Sequence, residues 1–512
     1  TDITFQNIVQ SGLDDPKVYQ LLQKGYTQNI FQFSSKGMTK FLVSMQPDKI
    51  EDLIAANALF RPATLDSGST DKYVDCKLGD ADPVYLWGTY NAMKNTYGVL
   101  CYQEQLAQIA REVGKFSLGE GVKLVKLISK KKVDKILALR DKFMAGANEN
   151  GCPKEDAEAI WHMFEVAGGY LFNKSHATAY AVTAYAGAYL KANYPTAFYT
   201  IALQWAKDDE IPTLMSEMEL CSEAKIVPPD INVSGGTFIT DYETNKIFWS
   251  LSRIKMLGAK ATEWIINERN VRGEFSSIEN FIERIFRYKL KLYKYWDDPD
   301  NPNEATKCPV NARHVRHLIL SGCFDKVENA QSVIERYAIL EKAAKCLGFE
   351  ISEKDIPEDL RNKHYFWSQQ QIAISGIGAI DYKRIYDNSE AKPQIKGKAS
   401  WALLKNIQDP DYDGKRVAIC ANIVDIEEKK FKDKKTGENR VFCKLLLQQN
   451  NDLVEMVIWN DEWMNVRATL CKGGSLSSAK NKMLICSAQV KYSDYTGGNN
   501  LQLYKSSIID IL

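Results

Sequence analysis

Apolar residues change their period along this chain, and that change limits what it can fold into. From residue 1 to about 225 they recur at helical spacing, in segments 46–60, 102–114, 133–150, 154–169 and 184–206. Pro195 lies inside the last segment and predicts two helices there. Over the last hundred residues the apolar positions alternate instead, in 416–431, 438–448, 452–459, 482–495 and 500–512. Alternation predicts five strands, and residues 462–468 predict a short helix between the third and fourth. Five strands with that inserted helix predict an OB-type barrel. The expected fold is multidomain and mainly α, ending in a β-barrel.

The middle of the chain predicts a different organisation. A Pro-Pro-Asp turn at 228–230 closes the helical region. A short strand pair (237–240, 246–251), the segment 254–270 with a helix after residue 261, a polar insertion around Asp297, Asp298 and Asp300, and the segment 312–327 follow. Helices at 329–348 and 366–374 precede a polar stretch, 387–400, that predicts a linker. The expected domains are 1–225, 226–345, 346–412 (helical connector and linker) and 413–512.

Lys and Arg number 66 against 65 Asp and Glu, so no global field draws the chain to nucleic acid, and any such surface is local. Eleven cysteines lack a Cys-x-x-Cys pair, which predicts reduced thiols and a cytoplasmic location. His314 and His317 share a helix face, but the sequence near them completes no metal set, and no metal ligands are assigned. No apolar stretch is long enough to span a bilayer, so no membrane partner is expected. Asp80 and Asp82 lie in a segment with turn chemistry and no flanking strand, and no catalytic residue is assigned in this chain.

Four features point to anions. Asn173, Lys174, Ser175 and His176 interrupt an otherwise apolar run and together offer an amide, a cation, a hydroxyl and an imidazole, groups suited to phosphate oxygens. They also fit an interhelix turn capped by Asn173 or Ser175, with Lys174 in solvent. Lys123, Lys126 and Lys130 fall on one helix face with Lys131 and Lys132 at its end, and only Asp134 offsets them nearby. IKMLGAKA (254–261) has helix–hairpin–helix character, with Gly258 at the turn, Lys260 after it and Met256 where a second glycine is usual; LILSGCFD (318–325) offers Gly322 similarly. Lys429, Lys430, Lys432, Lys434 and Lys435 fill the loop between the first two predicted barrel strands, where OB folds bind single strands; a solvated hairpin tip is the plainer reading.

FQFSSKGM (31–38), ALFRPATLDSG (58–68), YGVLCYQEQ (97–105), SKKK (129–132), GGYLFNKSHATAYA (168–181), KANYPTAFY (191–199) and PPDIN (228–232), in that order, resemble the C-family bacterial replicative DNA polymerases of the DNA polymerase III α-subunit type, in cellular or phage-encoded form. The resemblance implies a palm-edge segment and helical fingers domain over 1–225, tandem helix–hairpin–helix motifs over 226–345 and an OB domain at the end. It implies nucleotide contacts at Arg61, Lys126, Asn173, Lys174, Ser175 and His176. It implies DNA contacts at Gln103, Gln105, Lys123, Lys130, Lys131, Lys132, Gly258, Lys260, Gly322 and the barrel-loop lysines. Val125 and Lys126 stand where two arginines are usual, which implies a weaker grip on triphosphate.

The family's metal-binding aspartates lie on a palm that precedes FQFSSKGM, which begins here at residue 31. The resemblance therefore places Mg²⁺ and its carboxylates on a palm segment supplied in cis or as a separate chain, and implies that these residues alone are inactive. Primer–template and single-stranded DNA, dNTPs and a sliding clamp are the implied partners, although no Gln-x-x-Leu-x-Phe-like clamp peptide follows Asp325. A non-catalytic DNA-binding protein derived from a replicase is the alternative. A ligase-like or repair module is disfavoured, because no Lys-x-Asp-Gly motif is present. Thr1 carries the hydroxyl nucleophile of a downstream splicing junction, and equally fits a simple fragment boundary.

Overall fold

The computed structural model describes residues 3–129, 133–167, 170–286, 308–378, 382–387, 389, 391–395, 399–432, 437–450, 452–471, 474–480, 482–493, 498–503 and 509–511. Lys130, Lys131, Lys132, Lys434, Lys435 and Thr1, and the insertion at Asp297, Asp298 and Asp300, lie outside them. The chain forms two compact units, 1–198 and 199–512, and the division falls inside the helix Pro195–Trp205. As expected, Pro195 opens that helix directly after Lys174–Asn193 ends.

Two cores form among the described residues of the first unit. One gathers around the 20-residue helix Lys174–Asn193, which packs on Ile50–Leu59 and Pro16–Gln23. Ala177, Ala181, Ala184 and Ala188 form its buried stripe, and small side chains let the neighbouring backbones come close. The other core joins helices Gln103–Glu112, Leu118–Ser129, Val133–Glu149 and Lys154–Ala167 around Phe143, Trp161 and Phe164. A Cβ added at Gly146 would sit 2.1 Å from the Gly114 carbonyl oxygen, so a glycine is needed where these two backbones meet.

In the second unit the helix Ile211–Cys221 precedes a three-stranded sheet in which Lys246–Phe248 lies between Lys225–Val227 (parallel) and Ile239–Asp241 (antiparallel). Helices Ala259–Arg272, Ile278–Phe286, Ala312–Leu320, Arg336–Leu347 and His364–Ser375 then share one core. The polar stretch expected to be a linker is structured in its described residues. Ala391–Ile395 is helical and Ser400–Trp401 pairs with the first barrel strand. Tyr382, Tyr386 and Ile395 pack on the barrel's outer residues Ala418 and Cys420, a contact that polar composition does not announce.

The barrel closes as expected. Its first strand (Arg416–Lys432) pairs with the second (Asn439–Gln449), the second with the third (Asp452–Ile458), the third in parallel with the fifth (Gly498–Leu503), the fifth with the fourth (Met483–Ser493), and the fourth with the first. The helix Asn460–Cys471 follows the third strand, with Trp463 fully buried. This is OB-type topology. The expected fifth strand is two: Ile509–Ile511 separates from 498–503 and pairs with residues 484–486 further along the same edge of the fourth strand, opposite the first.

Replacing Gly146 with Ala drives a methyl group into the Gly114 backbone and should destabilise the first unit by about 1–3 kcal/mol. Urea unfolding of the single variant measures this; an unchanged midpoint would contradict the close approach.

Candidate nucleic-acid interface

The Asn173–His176 segment is a helix start rather than a free turn. The Asn173 side chain accepts from the His176 amide (2.9 Å), the role one of the two sequence readings gave it. A parallel bridge between Tyr102 and Phe172 sets this start beside the start of Gln103–Glu112: Phe172 N donates to Cys101 O and Gln103 N to Phe172 O, both at 2.9 Å. Glu104 then spans the junction, accepting from Lys174 N (2.9 Å) and from the Asn173 amide (3.1 Å). One carboxylate thus lies at the start of both helices, where the dipoles favour negative charge.

Around this junction the side chains form a partly exposed aromatic and cationic surface. Arg61 stacks over Phe172 at 4.4 Å and donates to Tyr170 O (2.5 Å) and Ala58 O (2.9 Å), and its burial lowers its pKa. The His176 ring meets Phe172 at 5.5 Å and Tyr180 at 4.0 Å, and Tyr180 meets the exposed Phe31 at 5.0 Å. Lys174 Nζ lies 5.6 Å from the Tyr102 ring, and Ser175 and His176 are exposed. Next to them is a cavity of about 380 Å³, lined by Gln103, Glu104, Gln108, Arg111, Val125 and Asn173 among others. Lys123 and Lys126 are exposed on the helix whose Val122 and Val125 line its wall, while Val125 itself is buried in the core.

Gln105 corrects a sequence expectation. It is buried, its Oε1 accepts from Cys101 N (2.9 Å) and Tyr102 N (2.8 Å), and its amide donates to Thr96 Oγ1 (2.7 Å) and Ala92 O (3.1 Å). An amide so occupied fixes the helix start and has nothing left for DNA. Gln103 stays at the junction, donating to Leu171 O at 3.4 Å.

In the second unit the two expected hairpins part. Gly258 caps Ala259–Arg272 with an ordinary extended backbone (φ −71°, ψ 166°), and an added Cβ there meets nothing. The left-handed residue is Met256, at φ +71°, the position where the sequence departs from glycine. Lys255, Gly258 and Lys260 are exposed around this turn. Gly322 is the second correction. It does need glycine (φ +92°), but it is buried under Arg336, whose Nη2 would sit 2.6 Å from a Cβ. Arg336 in turn binds Asp325, Leu320 O and Gln371, so this turn faces the core and not a phosphate.

On the barrel, Lys429, Lys430 and Lys432 are exposed at the end of the first strand. The sequence reading missed the aromatic rings beside them. Phe431, Phe442 and Trp459 cluster on the outer face of the first three strands with centroids 5.2–5.7 Å apart, and Trp459 is 41% exposed. Cross-strand pairing sets Lys429 opposite Phe442 and Arg440 opposite Phe431. Rings with cations beside them suit base stacking and backbone contact.

A cation-bearing helix junction, a hairpin turn at a helix start and a closed OB-type barrel carrying aromatics make a multidomain chain with several surfaces suited to anions and flat rings. Comparison with known proteins agrees. Residues 1–151 match the bacterial DNA polymerase III alpha subunit finger domain, and residues 223–294 match a helix-hairpin-helix motif. The chain is 28% identical to DNA polymerase III subunit alpha of Escherichia coli K12 over 98% of its own length, but covers 42% of that protein. It is 35% identical to the Aquifex aeolicus subunit over 66% of this chain (27% of the relative) and 36% identical to the Thermus aquaticus subunit over 53% (23% of the relative). The chain is of the DNA polymerase III α-subunit type and is equivalent to a C-terminal portion of it, spanning less than half the length of these relatives.

Replacing Gln105 with Leu leaves the Cys101 and Tyr102 amides without their acceptor and should destabilise the first unit by about 2–4 kcal/mol. Urea unfolding monitored by circular dichroism reads this out; a cost below about 0.5 kcal/mol would show that the amide does not fix the junction.

Proposed function

We propose that these residues supply the fingers, hairpin and barrel of a replicative DNA polymerase, binding the incoming nucleotide and primer–template DNA while the reacting carboxylates lie on a palm outside them. The observation that carries this reading is the junction of Arg61, Asn173, Lys174, Ser175 and His176 beside the Gln103 helix start. It gathers a guanidinium, an ammonium, an imidazole and two polar groups at a helix N-terminus, a place that favours phosphate. Lys126, exposed where Val125 is buried, is the cation of that pair able to reach an anion. A sliding clamp remains a proposed partner of the whole enzyme.

Mg²⁺ belongs with the palm. Among the described residues no three His, Cys, Asp or Glu side chains come together to hold an ion, and Asp80 and Asp82 are exposed in a turn. Two-metal phosphoryl transfer needs clustered carboxylates. Residues 1–512 alone should therefore not extend a primer with Mg²⁺, and adding a palm-bearing segment should restore template-directed incorporation. Incorporation by this chain alone, free of contaminating polymerase, would refute the division of labour.

DNA binding by the hairpin and barrel is proposed to be independent of sequence. With about five phosphates neutralised, log K should fall against log[salt] with a slope near −4.5. Replacing Phe442 or Trp459 with Ala should weaken single-strand binding by about 1–3 kcal/mol each, while duplex binding stays close to wild type. Fluorescence anisotropy on both DNA forms measures the difference; equal losses on both would move the aromatic cluster out of the single-strand site.

A further inference from the structure

We propose that His314 and His317 are positioning residues for the first hairpin, holding its turn against the Ala312–Leu320 helix and making DNA binding there take up protons. This rests on the DNA-binding reading above. His317 Nδ1 donates to Lys255 O at 2.6 Å, and His314, one helical turn earlier, lies close enough for the Met256 backbone to act on it. Asn311 N donates to His314 Nδ1 (3.4 Å), so neutral His314 carries its proton on the other ring nitrogen, Nε2. Lys255 N donates to Ile374 O at 2.8 Å, so the turn is held from a second helix as well. Met256 sits at φ +71° and is 59% exposed, a left-handed conformation that a non-glycine residue keeps only when its surroundings fix it. Two hydrogen bonds to the preceding residue, Lys255, one from His317 and one to Ile374, contribute to that fixing.

The charges that act on the two imidazoles are of one sign. Lys255 faces His317 from the turn, and Arg313 and Arg316 face it from its own helix; Arg313 also acts on His314. Arg316 is paired with Asp355, and the helix that supplies Ile374 brings His364, which is bonded to Ser332 instead. Burial comes first for both, followed for His314 by the neighbouring His317 and then Arg313, and for His317 by these cations; both pKa values lie below the ordinary histidine value, so the neutral form predominates at pH 7. A phosphodiester at the Gly258–Lys260 helix start brings negative charge to this cationic corner and raises both pKa values. The bound state then holds more protons than the free state. Affinity therefore rises as pH falls through the region below the ordinary histidine value, and is flat at higher pH where both states are neutral.

Anisotropy titrations of the full chain with a 20-base-pair duplex at constant ionic strength test this. Wild type should bind about fivefold tighter at pH 5.8 than at pH 7.8, by proton linkage. The double variant His314→Gln, His317→Asn puts a neutral amide at each position, which keeps a donor for Lys255 O. Its affinity at pH 7.8 should stay within about threefold of wild type, and its pH ratio should fall below about twofold. Calorimetry of wild type in buffers of different ionisation enthalpy should show proton uptake on binding. No uptake, or equal pH responses in wild type and the variant, would overturn the proposal while leaving DNA binding in place. A duplex that binds at neither pH would overturn the DNA-binding reading itself, and the proposal with it.

Discussion

Two helix starts meet at one carboxylate, and the candidate nucleotide surface depends on that meeting. Glu104 accepts from the backbone of Lys174 and the side chain of Asn173, while the Tyr102–Phe172 bridge keeps the segments in register. The bridge alone is two backbone hydrogen bonds, which contribute only about 1 kcal/mol each. Gln105 makes it firm, because its side chain fills all four of its hydrogen-bonding places at the same spot. With that start fixed, Arg61 can stack on Phe172, and the His176 and Tyr180 rings line up one helical turn apart. The polar groups of the segment are therefore of two kinds. Asn173 builds the helix end, whereas Lys174, Ser175 and His176 are carried by it.

The second unit uses backbone devices of another kind. Two turns that read alike in sequence end in opposite places. The one at Met256 is exposed, opens a 14-residue helix and is held by the His317 imidazole of a neighbouring helix. The one at Gly322 is buried by an arginine whose hydrogen bonds all point inward. A buried guanidinium is tolerated because Asp325 pairs with it and two acceptors satisfy the rest. The same partners close the turn to any phosphate.

Much of the fold was legible because period and punctuation are local properties. Helical spacing marked Ile50–Leu59, Gln103–Glu112 and Lys154–Ala167, and Pro195 divided two helices where its ring forbids the preceding hydrogen bond. Alternation marked the barrel strands, and their spacing marked the helix between the third and fourth. The candidate site was legible in its residue types and less so in their roles. Lys174, His176 and Arg61 do come together, through the bridge at Phe172. Gln105 belongs to the same stretch of sequence and turns inward, because a helix start needs its amide more than a surface does. A polar run at 387–400 read as linker, yet aromatics just before it pack on the barrel.

By itself, the sequence determined the family, the order of helical body, hairpins and barrel, and the places where cations gather. Those follow from motifs, period and composition, which act over a few residues. Tertiary structure decided which way side chains point. The first barrel strand shows why. Val417, Ile419, Ala421 and Ile423 face inward, and strict alternation would bury Phe431 with them. An irregularity between Ile423 and Asp425 shifts the phase by one residue, so Ile426 faces in and Phe431 faces out beside Phe442 and Trp459. A bulge exists only where two strands pair unequally, so no single strand's sequence contains it.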